Sequence, residues 1–142
     1  MTYYGDMLEK GDDFQKHVAE VCWGVLAISL DFTGKENQLL IGETLQGIEV
    51  KFDDKYAKTG NLWIETAEKT SPELRNYSPS GIFRSDNTWL YIIGDYTTLF
   101  VFGKKTLQRL CEDFDIIENN RRTSRGFLLP DGIARRFAEK VI

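Results

Sequence analysis

The stretch Gly47-Ile48-Glu49-Val50-Lys51-Phe52 constrains this chain more than any other. Ile48, Val50 and Phe52 alternate with Glu49, Lys51 and Asp53, the period-two pattern of a half-buried strand. Alternation sends Glu49 and Lys51 to one face, and the apolar trio to the other, core-like face. Strand rise alone sets the two charged residues about 7 Å apart along the backbone. A carboxylate and an ammonium are thus fixed side by side on a rigid element, which is what a catalytic pair needs.

The pattern on either side supplies the remaining elements. Residues 1 to 11 read as a loose lead-in, and Asp12 or Asp13 as a helix cap. Phe14, Val18, Val21, Val25 and Ile28 recur at the spacing of a helix face. From Val18 to Leu30 the run is apolar nearly all round, which marks burial on more than one side. Residues 33 to 38 read as a loop and Leu39 to Ile41 as a short strand. Leu62 to Ile64 mark a third strand ending near Glu65. Residues 70 to 87 are mostly loop, with one short helix near 79 to 84. Trp89 to Ile93 and Thr98 to Phe102 form a hairpin around Gly94-Asp95-Tyr96. Lys104 to Glu112 is a helix with Leu107 and Leu110 facing inward, and a last helix runs from about Asp131 to Val141. This order predicts a mixed α/β (α+β) single domain over residues 1–142, with a central mixed sheet flanked by helices and residues 113–142 as an extension of the core. Trp23, Trp63 and Trp89 lie in apolar stretches and are expected to pack inside. Cys22 is expected as a buried free thiol, since Cys22 and Cys111 have no metal-type spacing.

Charge narrows the partners. The net charge is −4, whereas charge-driven binding to nucleic acid leaves a basic footprint. Any DNA-binding surface must therefore be local. Arg121, Arg122 and Arg125, with Lys104 and Lys105, are the candidates for phosphate contacts, and Arg135 and Arg136 can add to them. A solvated basic surface explains these residues equally well. No apolar run is long enough to span a membrane and no leader pattern is visible, so a cytoplasmic protein with no membrane partner is expected. His17, the single histidine, is expected to pack at a helix flank. With no nucleophile elbow, phosphate loop or dinucleotide fingerprint, nucleophilic-triad and nucleotide-binding chemistries lack support.

The pair Glu49 and Lys51 suits phosphodiester cleavage. A hard cation such as Mg2+ or Mn2+ takes carboxylate oxygens, and a lysine beside it can stabilise a developing oxyanion. One carboxylate is not enough. Glu43 stands across a turn from Glu49. Glu65 closes the following strand on the face of Asn61 and Trp63. Glu20 is the one charged residue between Val18 and Leu30, although the helical wheel places it off the main apolar face.

Glu-x-Lys on a strand, an acid slightly upstream and an acid on the first helix resemble the PD-(D/E)XK nuclease superfamily. Gly42-Glu43, Gly47 to Lys51, Thr59 to Glu65, and Ser80 to Tyr91 resemble its small phage or prophage members, over roughly residues 12 to 110. The resemblance implies a restriction-endonuclease-like αβββαβ core and a Mg2+- or Mn2+-dependent deoxyribonuclease. It makes Glu49 a metal ligand, Lys51 the catalytic lysine, Glu43 the upstream acid and Glu20 the helix acid of some branches. The chain departs from the pattern in having Glu rather than Asp upstream, no proline before it, and a shorter spacing to Glu49. DNA is the implied partner, and a homodimer would serve to cut both strands.

Two rival readings use the same residues. A nuclease fold that has lost catalysis would serve as a DNA-binding or phage accessory protein. A hydrolase of another polymer, such as a glycan, would set two carboxylates across a groove with no required metal, an arrangement that a lysine between the acids disfavours.

Overall fold

A computed structural model describes residues 3–34 and 41–142, with side chains from Leu8 onward. The apolar spacing at Phe14 and Val18 produces helix α1 (Tyr3–Val21), which begins well before the expected cap because the polar lead-in is itself helical. Its regular winding stops at Val21. Cys22–Leu26 forms a π turn closed by Ala27 in the left-handed region, at φ 54°, with the Ala27 N–H donating to the Cys22 carbonyl. The wider turn shifts the side-chain rotation. Phe14 and Val18 on α1 and Cys22 at the start of the turn are fully buried, whereas Val25, a later member of the sequence pattern that lies inside the turn, is 53% exposed. Cys22 is a buried free thiol, as expected. The strand expected at 39 to 41 falls largely outside the described residues.

The central motif does form a strand, β1 (Ile48–Phe52). A one-turn helix, α2 (Tyr56–Thr59), leads into β2 (Asn61–Glu68). The loop region contributes a two-residue strand, β3 (Ser78–Pro79), and a 3-10 turn at Gly81–Phe83. The hairpin is β4 (Leu90–Gly94) and β5 (Leu99–Gly103), followed by α3 (Lys104–Cys111). After it come β6 (Ile117–Glu118), β7 (Ser124–Pro130), α4 (Asp131–Phe137) and β8 (Lys140–Val141).

The mixed α/β class holds, but the strands divide between two sheets instead of one. The first has the order β1-β4-β5-β8, and the second β3-β2-β7-β6. β1 runs parallel to β4, with Glu49 beside Tyr91 and Lys51 beside Ile93, and it is an edge strand. β2 pairs antiparallel with β7 along nearly its whole length, with a register shift between Glu65 and Ala67. Residues 113–142 are therefore woven into both sheets rather than appended, since β7 pairs with β2 and β8 with β5.

Two apolar clusters hold these layers. Phe14, Val18 and Cys22 pack on Ile48, Val50, Ile92, Leu99 and Val101, one face of the first sheet. Tyr91, Ile93, Phe100 and Phe102, from the opposite face, join Leu62, Ile64, Phe127 and Leu129 of the second sheet. Glu49 and Lys51, alternating with Ile48 and Val50, share the face that looks toward the second sheet. Trp23 and Trp89 depart from the expected core, being 69% and 59% exposed. The Trp89 indole N–H instead donates to the Gln46 carbonyl at 2.8 Å, bracing the loop before β1. No helix among the described residues is long and apolar enough to cross a membrane.

Gly81 is where the 3-10 turn meets β2. Its φ is +52°, and an added Cβ would lie 2.1 Å from the Glu65 carbonyl oxygen. Backbone clash and a left-handed conformation both oppose a side chain here. Gly81→Ala is expected to lower stability by about 1–3 kcal/mol or more, read as a drop in the denaturant midpoint. An unchanged midpoint would show that the turn stands free of β2.

Candidate active site

The loop before β1 is built to deliver one carboxylate. Thr44, wholly buried, donates its hydroxyl to the Ile48 carbonyl and accepts the Ile48 N–H, both at 2.8 Å. The Asn87 amide donates to the Thr44 carbonyl at 2.9 Å. Gly47, at φ +76°, lets the chain pass the Trp89 ring. Glu43 is thereby turned inward and is only 6% exposed. One of its oxygens accepts the Val50 N–H at 3.1 Å, on the edge of β1 that lacks a neighbouring strand. The other accepts the side-chain amide of Gln15 from α1.

Burial pushes the Glu43 carboxyl up to about 8, and the neighbouring Glu49 carboxylate adds to the shift. The charge of Lys51 and the Val50 N–H oppose it without overcoming it. Glu43 therefore holds a proton at neutral pH and shares a hydrogen bond with Glu49. Glu49 in turn pairs with Lys51 at 3.1 Å, their side chains being 13% and 47% exposed. Burial works against the ammonium of Lys51, yet Glu49, Glu43 and Glu65 outweigh it and hold the group above the usual lysine range. The Lys51 nitrogen is a fixed positive charge, unsuited to taking up a proton.

Glu65 approaches the same lysine from the second sheet. The Ser124 hydroxyl on β7 donates to it at 2.7 Å. Tyr91 closes the floor. It is buried beside Glu49 in register and donates its hydroxyl to the Gly81 carbonyl at 2.8 Å. Burial first, and then Glu49, push its phenol above the usual range. Lys51, Glu65 and Tyr91 all line one cleft of about 590 Å³, together with Asp53, Asn61, Trp63 and residues 117 to 120.

The expected acids therefore divide. Glu43 and Glu49 meet through a hydrogen bond beside Lys51, while Glu65 acts on Lys51 from the second sheet without joining them in a three-acid group. Glu20 does not join them: it is exposed on α1, and the helix residue that reaches the site is Gln15. Gln15, Tyr91 and Ser124 were not anticipated. Their roles come from contacts across 28 or more positions of sequence in the case of Gln15 and Ser124, and no local pattern marks them. Asp53, which continues the charged face of the alternation just past β1, accepts the backbone N–H groups of Lys55, Tyr56 and Trp63, tying α2 to β2. His17 packs against Tyr96 and Phe14 at the flank of α1, as expected.

The expected phosphate contacts are dispersed. Lys104 is turned inward, pairing with Asp86 at 3.4 Å and donating to the Arg84 carbonyl. Lys105, Arg121, Arg122 and Arg125 are exposed. Arg122 pairs with Glu118 at 3.8 Å, and Arg125 lies over the Tyr77 ring, 4.1 Å from its centre. None of these five lines the cleft. Among the described residues, no group of three or more His, Cys, Asp or Glu side chains stands close enough together to hold a metal ion. Comparison of the chain with protein-family models, characterised proteins and solved structures finds no match.

The raised Glu43 carboxyl has a consequence for stability. Its folded value of about 8 lies above its ordinary value of 4.5, so the fold binds this proton more tightly than the unfolded chain does. Stability is then undiminished below about pH 4.5 and falls as the pH rises toward 8 and above. Glu43→Gln keeps an acceptor for the Val50 N–H but carries no titrating group. Denaturant unfolding in a chelator is expected to show the parent weakening between pH 5 and 9 by clearly more than this variant. Parallel pH profiles would rule out a protonated Glu43.

Proposed function

We propose that this protein is a metal-dependent nuclease that hydrolyses DNA phosphodiester bonds at Glu43, Glu49 and Lys51. The reading rests above all on one arrangement: an edge strand carrying Glu49 and Lys51 as a 3.1 Å pair, next to a buried carboxyl that holds a proton. Two carboxyl groups sharing one proton fit a hard divalent cation, because such an ion can replace the proton between them. Mg2+ usually keeps several waters and takes only one or two protein carboxylates. Glu43 and Glu49 would hold it, and a third protein ligand is not required. The ion, when bound, supplies positive charge against the developing charge on phosphorus and acidifies water.

The chain's own residues have separate parts. The Val50 N–H and the Gln15 amide fix the Glu43 carboxyl. Lys51, held cationic chiefly by Glu49, offers a donor to a non-bridging phosphate oxygen as charge grows there. Glu65, anchored by Ser124, adds its negative charge to those that favour the Lys51 ammonium at the cleft. Tyr91, buried beside Glu49, joins the 3-10 turn to β4 through its hydroxyl.

Incubation with plasmid and oligonucleotide DNA in Mg2+ or Mn2+ tests this reading. Cleavage is expected with either ion and not in a chelator. Glu49→Ala and Lys51→Ala are each expected to lower kcat/KM by about a hundredfold or more. Parent-level cleavage by either variant would overturn the assignment. If no DNA is cut, and calorimetric Mn2+ binding does not depend on Glu43 and Glu49, the chain is a binding module.

A further inference from the structure

Beyond Lys51 the cleft has a composition that the chemistry does not use. Trp63 and Glu65 sit two positions apart on one face of β2. The Trp63 ring lies over Gly126, where an added Cβ would come within 2.9 Å of it. The ring is thus backed by β7 and held as a platform. Leu128, opposite Trp63 in register, is 43% exposed, and Ile117 of β6 is 42% exposed. All three line the cleft that contains Lys51. The exposed amide of Asn120 lies at its rim.

The charge of the cleft weighs most heavily against one class of occupant. Asp53, Asp54, Glu65 and Glu118 face only Lys51 and Lys55 there, and no arginine lines it. A duplex laid along this surface would bring two phosphate backbones against a net negative wall. A volume of about 590 Å³ belongs to the size class of small-molecule sites. It takes one or two nucleotides and no double helix. Stacking on an aromatic ring needs no positive charge and tolerates any base. The distance of about 7 Å between alternate residues on a strand is comparable to the reach from a nucleobase to its own phosphate. A base on Trp63 would therefore leave its phosphate about one strand repeat away, within the same cleft that Lys51 lines.

We propose that Trp63, Leu128 and Ile117 form a subsite for an unpaired nucleobase, so that the substrate enters as a single strand. The subsite rests on the nuclease reading for its biological sense but can be tested apart from it. Binding of a fluorescein-labelled oligothymidylate of eight nucleotides is followed by anisotropy in a chelator at low salt, so that nothing is cut. A blunt duplex of the same length is the comparison. The single strand is expected to bind at least about tenfold more tightly than the duplex, the scale of one lost or gained stacking contact.

Trp63→Ala is expected to weaken single-strand binding by about tenfold, and Trp63→Phe to restore most of it. Leu128→Glu changes a position that is 43% exposed, and is expected to weaken binding to a similar degree. Thermal melting of each variant identifies any that fail to fold. Equal binding of the two DNA forms, no binding of the single strand, or an unchanged affinity in both Trp63→Ala and Leu128→Glu overturns the subsite. Cleavage assays on the same proteins separate the two proposals. Cutting that does not depend on Trp63 sinks the subsite and leaves the nuclease. Binding that depends on Trp63 without cutting in any metal leaves the subsite and sinks the nuclease.

Discussion

Glu43 is buried where water cannot solvate a carboxylate, and the architecture around it follows from satisfying that one group. An unsatisfied carboxyl in such a place would cost several kcal/mol. Three elements answer it. The Gln15 amide arrives from α1, the Val50 N–H from β1, and Glu49 shares its proton. In meeting Val50, Glu43 also occupies the hydrogen-bonding edge where another strand would add. The first sheet therefore ends at β1 without exposing that N–H, a side-chain solution to the edge problem. The same ending leaves Glu49 and Lys51 at a margin, beside a cleft, and not in the middle of a covered sheet.

A second condition is that two sheets share one apolar cluster. Phe100 and Phe102 of the first sheet meet Phe127 and Leu129 of the second, all of them essentially without solvent contact. Burying such side chains contributes about 1.5–3 kcal/mol each relative to leaving them exposed. This contact sets how Glu65 and Lys51 face each other, since neither residue is joined to the other through a shared strand. The 3-10 turn at Gly81 completes the seam, touching β2 through the glycine backbone and β4 through Tyr91.

What could be read from the sequence was local, and what could not was set by contacts far apart in the chain. The alternation around Val50 showed a strand and placed Glu49 with Lys51, because side-chain direction in a strand is fixed by position alone. The hairpin of β4 and β5 and the inward leucines of α3 were legible for the same reason. The division into two sheets was not, because pairing of β2 with β7 joins residues about 60 positions apart. The π turn after Val21 was also hidden: the apolar pattern continues through it while the rotation per residue changes, so Val25 faces solvent. Within the site, Glu43 was legible as a neighbour across a turn. Its partner Gln15 was not, and Glu20 drew attention because a charge stands out in an apolar run and because the resemblance gives some branches a helix acid. The partners of the basic residues were hidden as well: Lys104 is inward with Asp86, and Arg125 rests on Tyr77.

The shared cluster between the sheets gives the hydrophobic core a second office. Lys51 rides on the first sheet and Glu65 on the second, so the gap between their charges is a ruler for how closely the sheets are pressed together. Coulomb energy varies inversely with separation, most steeply at short range and where solvent is excluded. A change of side-chain volume at Phe127 or Ile93 that moved the two sheets would also change the electrostatic environment of Lys51, though neither residue carries charge. In this molecule the apolar interior is also the part that tunes the electrostatics of the cleft.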